Sequence, residues 1–207
     1  MRFAAVLLLA VCALSCRNGE PEEHLPVTGL PGWLTVAETN GAGRPGVWRM
    51  DEDGTIRLTR TSNSGQTYNL LLADEQQLGN VGGERIRLGV RLRAEGGEED
   101  QGGGLVWRAR GPDDYYVARW NPLEDNLRLY TVVGGKREPL ASAAISADRQ
   151  AWHSLEVTMQ GERIEILFDG TEALQFEDRT FGPGGRVGLW TKADAATSFS
   201  GFFAGDV

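Results

Sequence analysis

Cysteine is almost missing from this sequence: Cys12 and Cys16 are the only two among 207 residues. A disulfide-stapled scaffold is thereby excluded, and so are cysteine-rich metal sites. Histidine is equally scarce, with His24 and His153 alone, so histidine-based metal centres and Ser-His-Asp nucleophiles lack raw material. Positive charge is short as well. Lysine and arginine number 21 against 29 aspartates and glutamates, a formal net charge of −8. Phosphate backbones demand a net basic footprint, so nucleic acid is not an expected partner. No apolar run is long enough to cross a bilayer comfortably, and the glycine runs Gly96-Gly97 and Gly102 to Gly104 lack the strand-then-helix setting of a phosphate loop. Neither an amphipathic helical period nor an internal repeat emerges.

One apolar stretch does stand out. Arg2 precedes Phe3 to Leu14 (FAAVLLLAVCAL), which has the length of a signal-peptide core. Ala13-Leu14-Ser15-Cys16 follows. A small residue directly before a cysteine resembles the lipobox of bacterial lipoproteins, although Leu14 stands where a smaller residue is commoner. Cleavage before Cys16 discards Cys12 and lipidates Cys16, leaving no free thiol. The expected organisation is a lipoprotein-type signal peptide over 1–15, a polar, proline-bearing tether over 16–31 that contains His24, and one domain over 32–207. The expected destination is the bacterial cell envelope, as a periplasmic or outer-membrane lipoprotein, or the exterior if Cys16 is not lipidated. The lipid at Cys16 is then the expected membrane contact.

Beyond Pro31 the dominant signal is alternation. Glu84 to Ala94 carries Ile86, Leu88, Val90 and Leu92 at period two, with Arg85, Arg87, Arg91 and Arg93 opposite. His153 to Met159 and Arg163 to Phe168 repeat the pattern. Turn chemistry links the runs: Gly134-Gly135, Gly161-Glu162 and Asp169-Gly170, the last a strong two-residue hairpin signal. Further strands are expected at Leu34–Glu38, Val47–Asp51, Thr55–Thr59, Tyr68–Leu72, Leu105–Arg110, Tyr115–Asn121, Leu127–Val133, Thr171–Phe176, Arg186–Thr191 and Thr197–Ala204. About a dozen strands on short turns predict an all-β fold, a two-sheet antiparallel β-sandwich. A domain of this length buries about 70% of its unfolded surface, enough for a core without staples.

Several segments occur in a recognisable order. Gly104-Leu105-Val106-Trp107-Arg108 leads to Asp114-Tyr115-Tyr116-Val117-Ala118-Arg119 and Asn121-Pro122-Leu123-Glu124-Asp125-Asn126. Trp152-His153 opens a strand, Ile166-Leu167-Phe168-Asp169-Gly170 follows, and Gly185-Arg186-Val187-Gly188-Leu189-Trp190-Thr191-Lys192 comes late. This order resembles the concanavalin A-like lectin/glucanase superfamily and, within it, the family named for 3-keto-disaccharide hydrolases. The resemblance runs over about Gly32 to Val207. It implies a jelly roll whose concave face takes glycans, and it implies a structural Ca2+; it names no other cofactor. Two features depart from relatives. The Glu-x-Asp-x-x-Glu strand of family 16 hydrolases is missing, Glu165 and Asp169 being merely four apart, and the last strand reads Phe199-Ser200-Gly201-Phe202 where acids are usual. The fold hosts enzymes, lectins and inert modules alike.

Strand registers nominate a site. With Leu105, Trp107 and Ala109 facing the core, Val106, Arg108 and Arg110 face outward. With Tyr116, Ala118 and Trp120 inward, Tyr115, Val117, Arg119 and Asn121 face outward, and Leu127 and Leu129 leave Arg128 and Tyr130 outside. Adding Arg91 gives an expected binding face of Arg91, Arg108, Arg119 and Arg128 with Tyr115, Tyr130 and Asn121, joined by Trp190 and Lys192 from the late strand. Guanidinium forks and flat rings suit a saccharide groove, and they also occur as ordinary occupants of a solvated sheet. Glu124 and Asp125 in the proline loop can serve as acid or base, as hard-oxygen ligands for Ca2+, or as turn caps. Asp194 is a second acidic source, and glycosidases hold two carboxyls about 5–9.5 Å apart. The expected catalytic set is therefore Glu124, Asp125 and Asp194. His153 is expected to be structural. Two functions follow: a carbohydrate-binding envelope module whose partner is a glycan or small saccharide, or a glycoside hydrolase acting on 3-keto-disaccharides or related glycans.

Overall fold

A computed structural model describes residues 36–40, 43–73 and 81–206. The expected signal peptide and tether, with Cys16 and His24, lie outside the described residues. Fourteen strands occur among those that are described, with no helix. They form two seven-stranded sheets whose described pairings are all antiparallel. Across the first sheet run β1 (Val36–Thr39), β4 (Tyr68–Leu72), β13 (Arg186–Lys192), β6 (Gly103–Gly111), β7 (Asp114–Asn121), β8 (Asn126–Val133) and β9 (Lys136–Ala144). Across the second run β12 (Thr171–Glu177), β11 (Arg163–Phe168), β10 (His153–Gln160), β5 (Arg85–Gly96), β14 (Ala196–Asp206), β3 (Ile56–Arg60) and β2 (Val47–Met50). The fold is a two-sheet antiparallel β-sandwich, as the alternation predicts, and of the jelly-roll kind that the family resemblance implies.

The main core lies between the sheets. Ile86, Leu88, Val90 and Leu92 of β5, with Leu155, Val157, Ile164 and Ile166, meet Leu105, Trp107, Ala118, Trp120, Leu127 and Leu129 of the first sheet. Each such side chain, fully buried, contributes roughly 1.5–3 kcal/mol. In β5 exposure alternates strictly over Arg85 to Leu88, because one face packs and the other meets water. The first sheet behaves differently. Its outer face holds a second buried cluster, in which Tyr68, Leu70, Val106, Val117 and Trp190 join Leu72, Ala109, Tyr115, Tyr130 and Val132. β7 is consequently buried from Tyr115 to Asn121. The binding face expected there is a packed layer, not an open arginine surface.

Two registers depart from expectation. β6 slips between Trp107 and Gly111, with Arg108 at φ 55°. That bulge moves Ala109 from the core to the outer cluster and turns Arg108 across the sandwich edge, where it donates to the carbonyls of Gly82 (3.4 Å) and Glu84 (3.3 Å). Arg110 ends up over the ring of Phe181, itself part of the inter-sheet core. The second departure is Arg91, which belongs to the other sheet altogether, opposite Ser154 and Ser200.

Candidate functional site

The outer face of the first sheet gathers most of the polar side chains that the sequence nominated. Register places Trp190 beside Gly104, Gly104 beside Arg119, and Arg119 beside Arg128. Glycine at 104 leaves Trp190 and Arg119 with no side chain between them. One row further along, Asn121 faces Asn126 and closes the β7–β8 hairpin. The Asn121 side chain accepts from the backbone N–H groups of Leu123 (2.8 Å) and Glu124 (3.3 Å), an Asx turn that holds the loop. Asp125 takes the left-handed turn position at φ 48°.

This fixed loop aims Glu124 at cations. Arg119 Nη2 lies 3.1 Å from Glu124 Oε1 and 3.5 Å from Asp100 Oδ2, and Arg128 Nη1 lies 3.5 Å from Glu124 Oε2. Lys192 Nζ donates to Asp100 Oδ2 at 3.0 Å, and Asn121 Nδ2 donates to Asp100 Oδ1 at 3.1 Å. Asp100 and Arg119 are buried to 2% and 1% exposure, whereas the Glu124 side chain retains 42% and that of Arg128 39%. The cluster therefore has a buried base and an accessible rim. Burial pushes the Glu124 carboxyl up, but the Asn126 amide and the charges of Arg119, Arg128 and Lys192 outweigh it and hold the group below the ordinary carboxylate range.

Asp194 sets up the same cluster from behind. Its carboxylate accepts from the backbone N–H groups of Glu98 (2.6 Å), Glu99 (3.1 Å) and Asp100 (3.0 Å), fixing the loop that carries Asp100. Burial works upward on Asp194, and those three N–H groups override it and lower its pKa.

An aromatic bed adjoins the charged end. Trp190 Nε1 donates to the Tyr115 hydroxyl at 3.1 Å, and the Tyr68 and Trp190 rings lie 5.3 Å apart. Arg137, on the edge strand β9, lays its guanidinium over this bed, 4.3 Å from the Tyr130 ring centre, 5.5 Å from Tyr68 and 5.8 Å from Trp190. Arg128 Nη1 donates to the Tyr130 hydroxyl at 3.4 Å, so bed and charged rim are continuous. Burial pushes the Tyr68 and Tyr115 hydroxyls up, keeping both neutral. Arg137 Nη1 and Arg119 Nε are buried without an acceptor. The face has donors to spare.

Tyr115, Arg119, Asn121, Arg128, Tyr130, Trp190, Lys192 and Glu124 thus share one face. Four nominated residues do not take part as expected. Arg91 and Arg108 lie elsewhere, Asp125 is a turn residue, and Asp194 is a loop brace. Asp100, Arg137 and Tyr68 went unnoticed in the sequence. Asp100 hides in the acidic run Glu98-Glu99-Asp100, where no period marks it. Arg137 carried a usable signal: the Gly134-Gly135 turn pairs Val133 with Lys136 and hence Val132 with Arg137, on the Tyr130 side. His153 is structural, its Nδ1 against Asp169 and its Nε2 against the Asp148 carbonyl, both at 2.7 Å.

Chemically, the cluster suits binding more than bond cleavage. Asp100 and Glu124 touch the same Arg119 nitrogen, so the two carboxylates are close enough for the glycosidase spacing. A general acid must nevertheless hold a proton near neutrality, and Glu124 is pushed the opposite way. The structural Ca2+ implied by the family resemblance does not fit here either. Both Glu124 oxygens already face cations or amides, and among the described residues no three His, Cys, Asp or Glu side chains are grouped to hold a metal ion.

Comparison with known proteins places the fold. A carbohydrate-binding module, CBM66, from Bacillus subtilis superposes with a TM-score of 0.65 at 18% identity, over 77% of this chain and 91% of that one. The carbohydrate recognition domain of Emp47p gives 0.55 at 17% identity, over 82% and 87%. A protein of unknown function with a galectin-like fold from Bacillus subtilis gives 0.56 at 12%, over 78% and 87%. No protein-family model matches the sequence, and no curated protein matches it. At these identities the likeness is one of fold.

Proposed function

We propose that this protein is a carbohydrate-binding module of the bacterial cell envelope, held to the membrane by a lipid on Cys16, and that it takes its saccharide on the outer face of the first sheet. The observation that carries the reading is the accessible rim of Glu124 and Arg128, with the largely buried Lys192, above the Asp100–Arg119 pair and beside the Arg137-capped aromatic bed. Saccharides offer hydroxyl donors to a carboxylate such as Glu124 and oxygen acceptors to the exposed guanidinium of Arg128. Leu123, 45% exposed at the tip of the loop, adds an apolar contact. The sandwich neighbours named for carbohydrate binding and recognition agree with this assignment. Binding is tested on a glycan array followed by calorimetry. Saturable binding that weakens about tenfold in Lys192→Met supports the site; no binding across neutral and acidic oligosaccharides rejects it. Fractionation tests the anchor: Cys16→Ser is expected to move the protein from membrane to soluble fractions.

A second reading, hydrolysis of 3-keto-disaccharides or related glycans, is favoured by one feature, the two carboxylates gathered on Arg119. It requires release of monosaccharide that Glu124→Gln abolishes. Binding without release leaves the module.

A further inference from the structure

The second sheet also presents a face to solvent, and its residues are not those of an idle surface. β14 is interrupted at Gly201, φ 63°, and slips register between Ser200 and Phe203. The slip brings Phe203 opposite Gly89 of β5, where the absent side chain lets the ring lie on the strand: a Cβ at Gly89 would stand 2.5 Å from the ring. Phe203 remains 42% exposed. Two residues along the same strand, roughly 7 Å away at the strand rise, Arg91 stands exposed with Ser154 and Ser200 as its register neighbours.

The charges of this face are unevenly matched. Arg57 and Arg93 meet Glu95, Arg57 also meets Asp51, and Arg87 meets Glu156. Arg91 and Arg85 have no carboxylate partner among the described residues. Trp152 instead braces Arg91 and Arg93, their guanidinium carbons 5.5 and 5.0 Å from its ring centre. A guanidinium held on an aromatic ring has already lost much of its rotamer freedom and keeps its fork for a carboxylate.

We propose that the outer face of the second sheet is a separate binding surface for an acidic polysaccharide, a chain of uronate units. One sugar ring stacks on Phe203, the carboxylate of the next unit takes the Arg91 fork, and Ser154 and Ser200 bond its hydroxyls. Arg91 and Arg85, which have no carboxylate partner among the described residues, favour an acidic over a neutral glycan locally, against the net charge of −8. This surface is independent of the site on the first sheet.

Affinity electrophoresis of the full chain in nonionic detergent tests it, with polygalacturonate or dextran cast into the gel. Retardation by polygalacturonate and not by dextran is expected, with the dissociation constant rising about tenfold in Arg91→Ala and in Phe203→Leu. Arg149→Ala, an exposed arginine in the turn before β10, is expected to bind as the parent does. Arg91 points into solvent, so its variant reads binding without threatening the fold. Three outcomes overturn the proposal: no retardation by polygalacturonate, an equal loss in Arg149→Ala, or retardation abolished by Lys192→Met and untouched by Arg91→Ala. The first removes any acidic ligand, the second reduces the effect to bulk charge, and the third moves the ligand to the first sheet. The array and calorimetry on neutral sugars judge that first site separately.

Discussion

Asp100 and Glu124 contact the same arginine, yet burial gives them opposite roles. Asp100 is the counter-charge to two cations, Arg119 at 1% side-chain exposure and Lys192 at 12%. Asp100→Asn leaves Lys192 without its carboxylate and Arg119 with Glu124 alone, and a loss of about 3 kcal/mol is expected by urea denaturation. Glu124→Gln, at an accessible pair, should cost no more than about 1 kcal/mol while weakening saccharide binding. Equal losses of stability from the two substitutions would contradict this division. Acid should expose the same logic. Glu124, Asp178 and Asp194 are each held below their ordinary values, burial in every case opposing and hydrogen bonds or cations prevailing. A lowered folded pKa contributes stability that is complete above the unfolded value and disappears as pH falls through the folded one. The melting temperature should therefore be level from pH 7 to about pH 5 and decline below about pH 4. Asp194→Asn should flatten part of that decline; an unchanged profile would remove Asp194 as a brace. At this scale the sequence was only partly legible. It marked Glu124 through its proline loop, but a carboxylate's partners depend on contacts across the chain, and nothing local distinguished Asp100 from Glu98 or Glu99.

Strands and turns were far more legible, because their signals are local. The Asp169-Gly170 hairpin shows why. Both residues adopt positive φ, 48° and 74°, as a two-residue turn demands. A Cβ on Gly170 would meet nothing within 4 Å, so Gly170→Ala isolates the backbone term. A cost of about 1 kcal/mol is expected, a fall in melting temperature of roughly 2–4 °C for a chain of this size. A melting temperature that does not fall would show that the turn tolerates a side chain at no cost. Alternation also has limits, and they are physical. Period two tells which side of its own strand a residue occupies, not which sheet the strand joins; Arg91 was grouped with Arg119 for that reason. It also fails at a bulge, where one extra residue inverts the pattern, as Arg108 does in β6. In β7 the difficulty is different. With both faces packed, Tyr115, Val117 and Arg119 are as buried as Tyr116 and Ala118, and a sequence in which polar and apolar residues alternate gives no warning that the polar side is also covered.

At the scale of the whole molecule, neither sheet is assembled from sequence neighbours alone. β13 lies between β4 and β6, and β14 between β5 and β3, so strands near the end of the chain complete sheets begun by the first ones. Such pairings require long loops to close before contacts reward them, and folding on the millisecond-to-second scale is expected. The arrangement also makes β14 structurally decisive despite its late position. Removing residues 196–207 takes away the ladder between β5 and β3, and with it Phe199, which packs at 1% exposure with its ring centre 6.1 Å from that of Trp48. The β2–β3 hairpin then has no partner, since a lone hairpin is barely stable in water, and β5 is left with an unpaired edge. Loss of the buried Phe199 alone is worth about 3 kcal/mol, against a total stability of roughly 5–15 kcal/mol for a typical domain. The truncated chain should therefore show no cooperative thermal transition and rapid proteolysis where the full chain resists. A sharp transition retained without β14 would mean that the first sheet and the β5–β10–β11–β12 block fold by themselves.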